Sequence, residues 1–400
     1  MSGRKTKAVT PRLRFPEFRD AGPWEVRTIE DIAEKLAQGG TPKTSVAKYW
    51  NGEIPWITPA EMGDDAAHHY TERTLRTISV EGLQNSSAEL LPVNSVIVSS
   101  RAPIGYVTIN KVEMATNQGC KGIIPKADVY HDFLYFSLLV ANQRLNDLGA
   151  GAGFKEISAS TLKVFPILVP ELPEQQKIAD CLSSLDDLIR AEASRLEALQ
   201  AHKKGLMQQL FPREGETTPR LRFPEFRNAG PWEVKRLGGV LSLEYGASLP
   251  EDQRIEGPFP VVGSNGVVGH HSEPLIDGPA IVIGRKGSAG EINWIESPCF
   301  PIDTTFYVVL LRHSDRLDFI KSLLERHRLP DLVSPGGVPG LNRDDVYAVR
   351  TAIPQPEEQQ KIADCLSSID DLIRAQGERI EALKQHKKGL MQQLFPQEIA

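Results

Sequence analysis

Long apolar runs are missing from these 400 residues. No stretch of about 18 or more apolar residues occurs, so nothing reads as a membrane span. Cysteine is scarce: Cys120, Cys181, Cys299 and Cys365 stand far apart with no CxxC, which argues against a disulfide framework or a zinc site. The basic stretch Met1–Lys7 has no apolar run behind it and reads as a short tail, not a secretory signal, so the cytoplasm is the expected compartment. Catalytic signatures are missing too. There is no Asn/Asp-Pro-Pro-Tyr/Phe motif and no assembled set of nuclease carboxylates. Gly284–Gly290 lacks the GxxxxGK[ST] order of a phosphate loop. Gly149-Ala-Gly-Ala-Gly has no strand–helix context for a dinucleotide and reads as a flexible turn. Catalysis by this chain alone is not expected.

An excess of positive charge is also lacking, since the net charge is −6. Residues 27–169 hold 13 Lys/Arg against 15 Asp/Glu, and residues 235–353 hold 12 against 15. A nucleic-acid binder normally carries a basic footprint. With this composition, its cations must gather on one face, or a partner must supply phosphate contacts.

What the chain does have is itself twice. Thr10–Val26 recurs as Thr218–Val234 with one difference, Asp20 against Asn228. Glu174–Pro212 recurs as Glu358–Pro396, 39 residues with seven differences. The offsets are 208 and 184, so the first intervening region is longer by 24 residues. A solenoid would repeat a short unit three or more times. Here constant segments alternate with divergent ones, which suits one frame carrying two readers of different things.

The constant segments predict long helices. In the first, Ile178, Leu182, Leu185, Ile189, Leu196 and Leu199 alternate spacings of four and three; Ile362, Leu366, Ile369, Ile373, Ile380 and Leu383 repeat this in the second. Glu192, Lys203, Gln376 and Lys387 interrupt the seams and are expected to set register. A period of 3.5 over four or more heptads argues for a coiled coil. Because a globular region intervenes, antiparallel pairing about a pseudo-twofold axis fits. Each helix would be roughly 55 Å long at 1.5 Å per residue. The lysine pairs near both C-termini suit the helix dipole.

The divergent regions share a plan. Ser95–Ile109 and Gly278–Trp294 each read as strand, tight loop, strand, with cations among small residues. Gly149–Lys155 and Ser334–Arg343 correspond in position, each before a final strand-like run. The predicted layout is a tail 1–9, a globular domain 10–173, a helix 174–212, a second domain 213–357, a second helix 358–396 and a tail 397–400.

Four segments make this specific: PRLRFPEF…GPWEV, GGTP…YWNGEIPWIT, VVGSNGVVGHHSEP…GPAIVIGRKGSAG and PEQQKIADCLSSLDDLI. In that duplicated order the chain resembles, over essentially its whole length, the specificity subunit of type I restriction-modification systems. The resemblance implies an α/β (α+β) chain with two target-recognition domains separated by two long antiparallel coiled-coil helices. Each domain would read one half of a bipartite, asymmetric site in double-stranded DNA. The helices would set the spacer and hold two methyltransferase subunits, which recruit endonuclease/translocase subunits. No cofactor is expected in this chain; S-adenosylmethionine, ATP and Mg²⁺ would serve other subunits.

For DNA contacts the leading residues are Arg101, Arg285 and Lys286 on the tight loops, because arginine binds guanine bidentately and either cation holds phosphate. A solvated hairpin tip is the competing reading for each. Ser100, Ser288, Lys155, Asn265 and Asn342 are secondary candidates. Trp50 and Trp56 are expected to pack rather than stack on bases. His68-His69 and His270-His271 point apart as chain neighbours, so surface or DNA-facing positions are expected instead of metal ligation. Two other classes stay open at this point: an enzyme holding a nucleotide at Gly284–Gly290, and a coiled-coil scaffold with no DNA role.

Overall fold

The computed structural model describes residues 9–63, 68–148, 156–333 and 340–396. The chain forms two compact units, one made of 1–195 and 377–400, the other of 196–376. Both boundaries fall inside long helices, so each unit holds one divergent region and halves of two helices.

In the first unit the order is β1 (Glu25–Thr28), α1 (Ile29–Ile32), β2 (Ala33–Gln38), β3 (Trp50–Ile57), β4 (Tyr70–Thr71), β5 (Thr77–Ile78), α2 (Val80–Gln84), β6 (Val96–Ser99), β7 (Val107–Asn110), β8 (Ala115–Thr116), β9 (Cys120–Pro125), α3 (His131–Val140), α4 (Asn142–Leu148), α5 (Ala159–Lys163) and β10 (Pro166–Val169). Then α6 (Leu172–Leu210) runs into the second unit. There follow β11 (Glu233–Arg236), β12 (Leu241–Tyr245), β13 (Phe259–Gly263), β14 (Gly266–His271), β15 (Ala280–Gly284), β16 (Ile292–Ile295), β17 (Phe300–Pro301), β18 (Thr305–Leu310), α7 (Leu317–Arg326), α8 (Arg343–Ala348) and β19 (Arg350–Ile353). Finally α9 (Pro356–Leu394) returns to the first unit. Pro173 lies inside the first turn of α6, not before it, and Pro356 opens α9. First-turn N–H groups have no intrahelical acceptor, so proline there loses no bond.

The two units are one fold. The sheet β2-β9-β6-β7-β4 corresponds to β12-β18-β15-β16, β5-β3-β8 to β14-β13-β17, and the ribbon β1-β10 to β11-β19. Register repeats as well: Ser99 pairs with Cys120 and Gly284 with Thr305, both at an offset of 185. The offset is 205 at Ile57 and Val262, so most of the extra length of the first region lies between β3 and β6, where β4 and α2 are added.

The repeated sequences repeat because they perform the same packing in each unit. Trp24, Phe133 and Phe395 meet with ring centroids 5.4–6.0 Å apart; Trp232, Phe319 and Phe211 do so at 5.4–6.2 Å. The Gly-Pro-Trp segment and the Leu-Phe-Pro helix end thus join a divergent-region helix in one aromatic core. Arg14 grips Glu174 bidentately at 2.7 and 2.6 Å, and Arg222 grips Glu358 at 2.7 Å twice. Both glutamates are buried, and such forked, charge-assisted bonds are strong and geometrically specific. One residue on, Gln175 accepts from Tyr130 N and donates to Pro170 O; Gln359 does the same with Arg316 N and Pro354 O.

Within each unit the half-helices run antiparallel. In the first, Asp186 pairs with Lys387 at 2.5 Å and Glu192 with Arg379 at 2.8 Å, so rising numbers on α6 meet falling numbers on α9. In the second, Lys203 pairs with Asp370 at 2.7 Å. The seam carries the expected apolar side chains. Ile178, Leu182, Ile189, Ile362, Leu366, Ile369 and Ile380 are buried, while Leu185, Leu196, Leu199, Ile373 and Leu383 are half-buried.

Candidate nucleic-acid interface

The tight loops after β6 and β15 are anchored by the same backbone hydrogen bonds. Ser100 N and Arg101 N both donate to Gly119 O at 2.7 and 3.3 Å, and Arg285 N and Lys286 N both donate to Thr304 O at 2.8 and 3.2 Å. Gly105 N closes on Ser99 O at 3.0 Å, and Gly290 N closes on Gly284 O at 2.8 Å. Those glycines have φ of +84° and +86°, the left-handed region that suits a residue without a Cβ. Ser100 O accepts from Ile157 N at 2.8 Å, and Arg285 O from Leu341 N at 2.9 Å. Arg285 therefore occupies the place of Ser100, and Lys286 the place of Arg101.

The side chains on this shared backbone differ. Ser100 is buried, its hydroxyl donating to Gly119 O at 3.1 Å, so it braces its loop. Arg101 is exposed and pairs with Glu156 at 3.0 Å. Beside them Lys121 is buried in the sheet; burial lowers its pKa, opposed by Glu156 and reinforced by Arg101. In the second unit Arg285 donates to Asp303 O at 2.6 Å and holds its guanidinium 5.3 Å from the Tyr245 ring. Arg343 approaches the same ring at 5.3 Å. Tyr245 is half exposed, so two arginines stand beside one accessible aromatic ring. Cations interleaved with an aromatic ring suit both phosphate contact and stacking.

The remaining candidates are scattered around this core. Lys286 is exposed and Ser288 half-buried on the same loop. Asn265 is exposed in the turn between β13 and β14. Asn342 caps α8, its side chain accepting from Asp344 N at 3.0 Å, as Ser158 caps α5. Lys155 lies outside the described residues, as do Gly149–Phe154 and residues 334–339 of the corresponding segment. Sequence reasoning passed over Tyr245 and Arg343. Arg343 directly follows the chosen Asn342; Tyr245 gave no local signal, because it joins the loop only through strand pairing with Phe306.

Trp50 and Trp56 are packed edge to face at 5.2 Å and buried, their indole N–H groups bound to Lys43 O and Gly40 O. Exposed Arg76 lies 3.7 Å over the Trp50 ring. One expectation is corrected: His69 is not at the surface but fully buried. It is stacked between Tyr70 and Tyr135 at 4.0 and 4.1 Å, with Nε2 3.1 Å from Asp132 Oδ1 and Nδ1 3.6 Å from Asp186 Oδ2. The apolar side chains of β4 and α3 that enclose it are set by the fold, not by neighbours in the chain. For Asp132, burial acts to raise the pKa, but hydrogen bonds from His69 and Tyr70 outweigh it and hold the carboxyl at about 2. His270 is exposed, and His271 accepts from Ile255 N at 3.0 Å. Among the described residues no group of three or more His, Cys, Asp or Glu is placed to hold a metal ion, and no helix is long and apolar enough to cross a membrane.

Comparison with known proteins agrees with this duplicated plan. The family model for the type I restriction modification DNA specificity domain matches twice, at residues 22–201 and 230–385. The MjaIX specificity subunit of Methanocaldococcus jannaschii is 37% identical over 243 residues, 57% of this chain and 54% of that protein, so the chain spans about half of that relative's length. The MjaVIII specificity subunit of the same organism is 24% identical over 422 aligned residues, covering 96% and 93% of the two chains. The EcoR124I/EcoR124II specificity subunit of Escherichia coli is 31% identical over 179 residues, 42% of each chain. Among solved structures, a type I restriction-modification S subunit from M. genitalium has the same fold, with a TM-score of 0.65 at 18% identity over 97% of this chain and 99% of that one. The chain belongs to the type I restriction-modification DNA specificity family and carries the family's domain twice.

Proposed function

We propose that this chain is the DNA-reading subunit of a type I restriction-modification complex, each unit recognising one half of a bipartite, asymmetric site in double-stranded DNA. The observation that carries this reading is the pair of loops with matching backbone anchors and different side chains, Ser100-Arg101 against Arg285-Lys286. Conserved hydrogen bonding presents both loops alike, while the exchanged side chains offer different donors to base edges and phosphates. A near-symmetric frame with dissimilar readers specifies dissimilar half-sites.

In this reading the chain performs no chemistry. It works in the cytoplasm, and its partners bring S-adenosylmethionine, ATP and Mg²⁺. Two methyltransferase subunits dock on the repeated frame and recruit the endonuclease/translocase subunits. Leu13, Val26 and Leu188 are exposed apolar residues, and so are their counterparts Leu221, Val234 and Leu372. Such duplication suits two copies of one partner.

The test is a genome-wide map of methylated adenines in cells expressing this chain with its neighbouring methyltransferase, against cells lacking the chain. A gapped, asymmetric motif present only with the chain is the expected result. A stable complex with an active methyltransferase but no new motif would leave only a scaffold. Inserting or deleting one helical turn in Glu174–Leu210 should change the gap between half-sites; an unchanged gap in an active complex removes the ruler role.

A further inference from the structure

The second unit contains a cationic cleft whose Arg326 and Arg328 have no cationic counterpart at the matching positions of the first. Its recess has a volume of about 870 Å³ and lies between the last turns of α6, the segment after it and the end of α7. Lys204, Arg213, Arg220, Arg326 and Arg328 line it, with Glu214 as an opposing charge. Lys203 and Glu325 also reach it but are paired with each other, Lys203 further with Asp370 and Glu325 with Lys321. A second recess of the same volume adjoins it, shares Arg213, Glu214, Arg326 and Arg328, and extends to Arg350.

Three features set these cations apart from an ordinary solvated surface. First, they are underpaired: among the described residues Lys204, Arg213, Arg220 and Arg326 have no ion-pair partner within 4 Å, whereas Arg328 pairs with Asp331 at 3.2 Å. Half-buried Arg326 bonds Pro212 O, and burial lowers its pKa against the longer-range pull of Glu214. A half-desolvated charge with no counterion in contact is costly unless a ligand supplies one. Second, Arg328 has a left-handed backbone with φ +47°, unfavourable for a side chain of its size and retained only where the surroundings impose it. Third, the cleft is tied to the reading loop. Gly290 lies so close to Leu329-Pro330 that a Cβ on it would come within 2.5 Å of Pro330 N, and Arg328 is the next residue back. The loop that carries Arg285 and Lys286 therefore touches the turn that carries Arg328. In the first unit the residues matching Arg326-His327-Arg328 are Val140-Ala141-Asn142, by the equivalence of Tyr130 N and Arg316 N, which both donate to the matching glutamines 175 and 359.

We infer that this cleft binds the DNA phosphate backbone beside the second half-site as a sequence-independent clamp. The inference rests on the reading of the chain as a DNA-binding subunit. It also answers the acidic composition: cations are gathered at one place in a chain whose net charge is −6.

The experiment uses the full complex with its methyltransferase subunits. The variant Arg213→Gln/Arg220→Gln/Arg328→Gln is compared with wild type and with the charge-retaining Arg213→Lys/Arg220→Lys/Arg328→Lys. Affinity for duplexes with and without the site is measured across a salt series. Expected for the glutamine variant is an equal loss for both duplexes, on the order of 10- to 100-fold near 0.15 M salt, and a log–log salt slope shallower by about 0.9 per lost phosphate contact. The lysine variant should bind like wild type, and the methylated motif should not change. Unchanged affinity and slope would overturn the clamp. So would normal DNA binding with weakened subunit assembly, which would make the cleft a seat for an acidic protein surface. If the wild-type complex binds neither duplex, the DNA-reading function itself fails, which is a different result.

Discussion

The same lysine–aspartate pair occurs in both units, in different surroundings. In the first unit Asp186 is completely buried, with Lys387 on one oxygen and His69 near the other. In the second, Asp370 shares Lys203 and Lys321, which both also reach Glu325, and about a third of its side chain meets solvent. The helix sequences are nearly identical, so the globular region packed against each pair makes the difference. In the first unit α3 supplies Asp132, which binds His69; in the second, α7 supplies Lys321 and Glu325. A repeated frame does not repeat its electrostatics when the surfaces that cover it diverge.

The largest expected effect breaks this comparison directly. Asp186→Asn leaves Lys387 buried without its counterion and should cost about 3–5 kcal/mol. Asp370→Asn leaves both lysines with Glu325 and should cost about 1 kcal/mol. Urea unfolding of the two variants checks this; equal losses would mean that the covering surface does not set the pair's strength.

The next contrast concerns the reading loops. Arg285→Gln should weaken binding by about 1–3 kcal/mol when the second half-site is present, and relax discrimination there. Arg101→Gln should do so for the first half-site only. Binding to duplexes with one half-site altered at a time separates the two, and an effect of either variant on both half-sites would end the one-unit, one-half-site assignment.

Acid sharpens the contrast further. The Asp132 carboxyl is held at about 2 in the folded state, below the ordinary value near 3.9. A depressed acid contributes stability above its unfolded value, and that contribution is lost as pH falls through the folded one. Asp132→Asn should therefore flatten the acid limb of stability by about 1 kcal/mol by pH 3. Urea midpoints from pH 5 to pH 3 test this, with parallel curves counting against it. The smallest effect belongs to Ser100→Ala, which removes one loop hydrogen bond: roughly 0.5–1 kcal/mol of stability and no change in the methylated motif. A changed motif would promote Ser100 from brace to reader.

Much of the architecture was legible because it is written as local pattern. Heptads such as Ile178–Leu182–Leu185–Ile189 declare a helix whose partner must bury the same stripe. The loops at Arg101 and Arg285 were legible from small residues between β-rich runs. Asp186 was not. It follows Leu185 on the helix, and nothing local distinguishes it from exposed Asp187, yet it is the buried one. Lys203 and Lys387 were legible as seam positions that set register, but their partners were not: each forms an ion pair across the seam with an aspartate that local pattern does not mark.

The sequence by itself determined the duplication, the two long helices, the paired loop positions and the absence of catalytic motifs, since each depends on residues close together in the chain. Only the tertiary structure decided that Arg285 stands where Ser100 stands, that His69 is enclosed, that Tyr245 lies between Arg285 and Arg343, and that arginines from α7 and from the segment after α6 share one cleft. Those facts depend on pairings between residues 40 to more than 200 positions apart, such as Arg285 with Tyr245, Arg343 with Tyr245 and Asp186 with Lys387. Local propensity carries no record of them, because burial and charge pairing are settled by which surfaces the fold brings into contact.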